Sequence, residues 1–142
     1  MASCKDECEA LMSSVLPRAE QLLTEHRVLE PFGCTLSVGE QIVDAFGAGR
    51  GPALDRVKRI QEFQVSFRDG AGRGELKATL LIYSDQRVRP GAHQPQDAVL
   101  VHLDHRDDYS VLVAFPYHFT ATGELVIEEP FASEGEHAIF EH

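Results

Sequence analysis

The sequence contains no tryptophan, only two methionines and only three cysteines. Without tryptophan, a core must be assembled from Val, Leu, Ile and Phe. The cysteines, Cys4, Cys8 and Cys34, are odd in number and thinly spread, which argues against a disulfide scaffold. Cys4 and Cys8 lie four apart and share a face of any helix formed there. They read as ordinary thiols in a first helical turn rather than as a redox pair or half of a metal site. No stretch approaches the roughly 20 apolar residues that a membrane helix needs. The first residues are polar and acidic, with no basic start followed by an apolar run. A cytoplasmic location is therefore expected, with no membrane as partner.

Positive charge is also scarce. Thirteen basic residues face 23 acidic ones, for a formal charge of −10. A duplex would be repelled by such a surface, so no nucleic acid is expected as partner. The densest basic stretch, Arg50, Arg56, Lys58 and Arg59, is diluted by Asp55 and Glu62. The acidic balance suits plain solubility, and it equally suits a basic protein partner.

The 142 residues fit a single domain spanning 1–142. Apolar residues are 43% of the chain and charged residues 25%, both near the globular average. Ser3 and Asp6 form a capping-box pattern. Leu11, Val15, Ala19, Leu22, Leu23 and His26 then give an apolar stripe at helical spacing. Pro17 is expected to kink or split that helix, and Pro31 to limit it. Residues 32–38 and 41–46 flank Gly39-Glu40 as a hairpin. The glycines of 47–51 form a loop, and Pro52 suits the first position of a second helix. Leu54, Val57, Ile60, Phe63 and Phe67 supply its buried face to about Arg68, although Phe63, Val65 and Phe67 also alternate as a strand would. A second Gly-rich loop covers 70–74.

Residues 76–88 are rich in strand formers. Pro90, Gly91 and Pro95 mark a loop. Segments 98–105 and 110–117 form the clearest hairpin, turning at Asp107-Asp108, a pair that is not a preferred two-residue turn. Centred there, the turn would set Leu103 against Leu112 and Val101 against Ala114. Both faces of these strands are apolar, as for strands covered on two sides. Residues 123–128 make a last full strand, and 138–140 a short piece that tucks back. The expected fold is α+β: an antiparallel sheet of five to six strands packed by two helices, in the order α-β-β-α-β-β-β-β.

Several strings carry a faint likeness. They are Pro31-Phe32-Gly33 after an amphipathic helix, His105-Arg106-Asp107-Asp108-Tyr109 running on to Pro116-Tyr117, and Gly123-Glu124-Leu125 with Glu129-Pro130-Phe131. With them the chain resembles small uncharacterised bacterial proteins that have a leading helix and a long antiparallel hairpin. The resemblance implies a bacterial cytoplasmic origin and no particular activity.

Four constellations are chemically suggestive. His102 and Asp104 point to one face of a strand and would supply two metal ligands, with Glu128 or His118 as a third, while His105 points to the other face. His102 with Asp104, or His118 with Glu128 or Glu129, would also suit acid/base work, but no nucleophile accompanies them. The loop of Gly47, Gly49 and Gly51 precedes a helix, the right context for holding an anion, but it lacks the spacing of a phosphate-binding motif. Tyr117, His118, Phe119 and Phe131 form an aromatic set among carboxylates that would suit a basic partner, and Phe140 lies in the acidic tail. The leading expectation is a non-enzymatic interaction protein that binds a basic protein. The alternative is a small-molecule-binding or metal-dependent enzyme centred on His102 and Asp104. A homodimer built by edge-strand or helix pairing is a third possibility. No cofactor is implied.

Overall fold

The computed structural model of the protein describes residues 3–45 and 56–140. The expected Gly47, Gly49 and Gly51 loop, Pro52 and Leu54 lie outside them.

Helix α1 spans Cys4–His26. Ser3 Oγ accepts the Asp6 N–H at 3.1 Å, and Asp6 Oδ2 accepts the Ser3 N–H at 3.2 Å, closing the capping box. The buried stripe is Cys8, Leu11, Val15, Ala19 and Leu23, while His26 is exposed. Of the expected kink or split at Pro17, the split does not occur: α1 continues through Pro17 as one element. Pro17 and Ser13 are both exposed, so the carbonyl that Pro17 cannot bond faces water. Arg27 ends the helix in the left-handed region at φ 67, and its N–H bonds Leu23 O at 2.8 Å. A non-glycine there is strained. The Arg27 guanidinium lies 4.2 Å over the Phe119 ring, a contact that offsets the strain.

The strands are β1 (Phe32–Ser37), β2 (Ile42–Ala45), β3 (Leu76–Val88), β4 (Pro95–His105), β5 (Tyr109–Phe119), β6 (Leu125–Ile127) and β7 (Phe131–Glu134). Helix α2 (Arg56–Gly72) lies between β2 and β3. All pairings are antiparallel, in the order β2-β1-β3-β4-β5-β6, with β7 also on β5. The α+β class and the element order expected from the sequence hold, and β7 adds a short seventh strand.

Alternation sends Cys34, Leu80, Ile82, Val101, Leu103 and His105 to the α1 side. It sends Gly33, Thr79, Leu81, Tyr83, His102 and Asp104 to the α2 side. From Ala78 to Ser84 every residue of β3 is buried, as befits a strand covered on both faces. A Cβ at Gly33 would overlap the Leu80 carbonyl oxygen and crowd Phe67 of α2. Glycine here leaves room first for the β3 carbonyl and then for the Phe67 ring.

Several expectations need correction. The β4–β5 turn is Arg106-Asp107-Asp108, with Asp108 left-handed at φ 60. That three-residue turn moves the register by one, so Leu103 faces Val111 and His102 faces Leu112. The β1–β2 turn is likewise Val38-Gly39-Glu40, with Glu40 at φ 64. Residues 63–67 are helical, and α2 runs on to Gly72, absorbing most of the second Gly-rich segment. Val57 is 56% exposed and Ile60 half-buried, leaving Phe63 and Phe67 as the buried anchors of α2. Pro95 belongs to β4 as its first residue, where no ladder N–H is required.

Candidate functional site

On the α2 side, β4 carries His102 and Asp104 and β3 carries Thr79, Leu81 and Tyr83. The residues from Gly135 to Phe140 cross over them. Gly135 N–H bonds Ser110 O at 3.0 Å, His137 N–H bonds Ser110 Oγ at 3.2 Å, and Arg68 Nε–H bonds Ala138 O at 2.8 Å. Ile139 and Phe140 are buried by this crossing, so the tail piece does tuck back. The crevice beneath has a volume of about 20 Å³, room for about one water.

His102 Nε2 lies 2.9 Å from the Tyr83 hydroxyl, and the rings stack at 5.4 Å between centroids. Burial holds its pKa below the usual 6.5, with Arg87 acting in the same direction. His102 is thus half-buried and engaged by Tyr83 on the neighbouring strand. His118 is not near it. His118 belongs to the other end of the sheet, about six residues or ~20 Å along the strand direction. There His118 Nδ1 is 3.3 Å from Glu128 Oε2, which also accepts from Gln96 Nε2 at 3.0 Å. The sheet thus separates the third ligands expected for a metal from the first two. Among the described residues no three His, Cys, Asp or Glu side chains form a metal-binding group.

On the α1 side the sequence reading missed a network. His105 is fully buried, and its Nδ1 accepts the Asp107 N–H at 3.0 Å. The remaining ring proton is therefore on Nε2, which donates to Glu7 Oε1 at 2.9 Å. Glu7 Oε2 takes a 2.8 Å bond from Lys77 Nζ, which also reaches Glu40 at 3.3 Å. Lys77 above all, then His105, holds the Glu7 carboxyl below its usual range against the opposing effect of burial. Every polar side-chain atom of the Glu7–His105 pair has a partner, and the Glu7 carboxylate joins α1 to Lys77 of β3 and His105 of β4. Cys8 and Cys34 are inert: burial pushes each thiol up to about 12.

The aromatic set is only partly a surface. Tyr117 is buried, packed edge-on to Phe119 at 6.0 Å. Phe119 is half-buried beneath Arg27, and Phe131 is half-buried with Arg89 at 5.3 Å from its ring. Phe140, expected in the tail, is buried. His118 alone of the four is exposed. Of these rings, Phe119 and Phe131 already carry cations of the same chain over their faces.

The open feature lies at the opposite edge. Ser37 N–H bonds Gln41 O at 2.9 Å, making 37 and 41 a hydrogen-bonded pair. Alternation from there turns the peptide groups of Ile42 and Asp44 away from β1. Among the described residues nothing pairs with that edge. Ile42 (46%) and Val43 (51%) stand exposed along it. Nothing in the sequence distinguishes Ile42 and Val43 from core residues, because exposure here follows from strand order.

No family model, no curated protein and no solved structure matches this chain.

Proposed function

We propose that the protein is a non-enzymatic binding protein that takes an extended, basic segment of a partner protein along the edge of β2. The observation that carries this reading is the β2 edge itself, which combines outward peptide groups with two half-exposed β-branched side chains, Ile42 and Val43. An added strand would gain main-chain bonds from the edge and apolar contacts from Ile42 and Val43. Partner chemistry follows from charge. Exposed Glu40 and Asp44 flank the patch, and the whole chain carries −10. A basic strand is drawn in and an acidic one repelled. Reduced cysteines fit the bacterial cytoplasm that the resemblance implies. The acidic surface leaves nucleic acid outside the range of partners. No helix among the described residues is long and apolar enough to cross a membrane.

The test uses two synthetic peptides, one alternating Val with Lys and one alternating Val with Glu, followed by amide shifts of the labelled protein. The reading expects the Lys peptide to move Ile42 and Asp44, and the Glu peptide to leave them unmoved. Equal responses to both, or none to either, would overturn it. Sedimentation in parallel reports whether a second copy takes the same edge; a dimer dispersed by Ile42→Pro would replace the basic partner with self-association.

A further inference from the structure

A groove of about 930 Å³ opens between the end of α2, the β4–β5 turn and the tail segment. Its apolar side is Ala71, Ile139 and Phe140, and its polar side is Arg68, Arg106 and the Asp108–His137 pair, which meet at 3.5 Å. Arg68 uses Nε on the Ala138 carbonyl, and its Nη donors have no partner among the described residues. The Arg106 side chain has none there either; its backbone N–H alone is engaged, on Lys77 O at 2.9 Å. In a chain with 23 acidic and 13 basic residues, a groove that gathers two guanidinium groups with open donors runs against the composition.

Two opposing effects must be weighed. A helix C-terminus disfavours an anion through its bare carbonyls. At this end of α2, however, the carbonyls of Asp69, Gly70 and Ala71 accept the amides of Arg73, Glu75 and Gly74 at 3.0–3.1 Å. The acidic remainder of the surface is screened beyond about 8 Å at physiological salt. Among the described residues that line the groove, the permanently charged side chains are two arginines against Asp108, which suits a monoanion better than a doubly charged phosphate.

We infer that this groove binds small carboxylates with an apolar body, the carboxylate on Arg68 and Arg106 and the body on Ile139 and Phe140. Planar guanidinium forks suit a carboxylate geometrically. A cleft with an apolar floor and a few polar groups at one end is the usual form of a small-molecule site. The site lies away from β2 and stands or falls independently of strand docking.

The probe is octanoate, titrated into the 142-residue chain with amide shifts as readout. Acetate supplies the charge without the body, and 1-octanol the body without the charge. The expected result is submillimolar octanoate binding that moves Ala71, Gly72, Arg106 and Ala138, with both controls at least about tenfold weaker. Arg106→Gln, which removes an exposed side chain with no partner among the described residues, should weaken octanoate by about tenfold and leave the fold intact. Octanol binding as tightly as octanoate would show that the arginines do not read charge. Acetate doing so would show that the apolar wall does not contribute. Either result, unchanged binding by Arg106→Gln, or no octanoate response in the groove, overturns the inference.

Discussion

Glu7, in the first turn of α1, accepts a 2.9 Å bond from His105, which stands 98 residues later at the end of β4. With Lys77 on the other carboxylate oxygen, this contact fastens the N-terminal helix to the middle of the sheet. Glu7 is held below its ordinary 4.5, so its contribution to stability is present above pH 4.5 and is lost as pH falls through the lowered folded value. Glu7→Gln should therefore lower the melting temperature by several degrees at pH 7. The gap to the natural protein should close on acidification. Thermal melts at stepped pH check this, and a gap that stays constant with pH would refute it.

His102 makes an acid limb of opposite origin. Its folded pKa lies below 6.5, because burial disfavours the imidazolium. As pH drops below 6.5 the unfolded chain takes up a proton that the folded chain resists, and stability declines. In His102→Gln the slope of stability between pH 6.5 and the onset of carboxylate titration should flatten. Urea midpoints across that range give the answer.

Gly33 sits against the Leu80 carbonyl of β3 and the Phe67 ring of α2. Gly33→Ala places a methyl against backbone, which cannot rotate aside as a side chain would. The expected loss is about 1–3 kcal/mol, or more if the strand must shift. A matched Gly72→Ala, at a position with open space, should show no such loss. Denaturant unfolding of the two variants side by side provides the comparison.

The thiols offer a chemical probe of packing. Cys8 and Cys34 are buried and Cys4 is half-buried. A disulfide reagent at pH 8 should label Cys4 first, with the other two reacting only when the chain unfolds. Rapid labelling of all three in the folded protein would contradict the buried placement.

At the edge, Ile42→Pro removes an outward N–H and keeps the bonds to β1. Its stability should remain within about 0.5 kcal/mol of the natural chain. Its response to the Val/Lys peptide should disappear. Retained binding would move the docking site elsewhere.

Much of the fold was written locally. The α1 stripe and its capping box, the long β3 and the two-sided apolar strands β4 and β5 follow from period and turn residues. What escaped was set by distance or by backbone rather than by pattern. Asp107-Asp108 marked a turn, but only the left-handed Asp108 makes it three residues long and fixes which residues face each other. The Phe-Ala-Ser-Glu of β7 alternates too weakly to read as a strand. Glu7 and His105 carry no mutual signal across the chain, so their pairing was illegible. His102 and Asp104 did share a face as expected, but Tyr83, three dozen positions before Phe119 and on another strand, took the imidazole instead.

The sheet also implies an order of assembly. Strands β3, β4 and β5 are consecutive and joined by short connections, and each pairs with the next along its length. Closing those ladders costs little loop entropy, whereas seating β1 on β3 requires the intervening β2 and α2 to be spanned first. The meander from 76 to 119 should thus nucleate folding, with the N-terminal helix docking late. Substitutions such as Leu100→Ala would slow folding, and Glu7→Gln would chiefly speed unfolding.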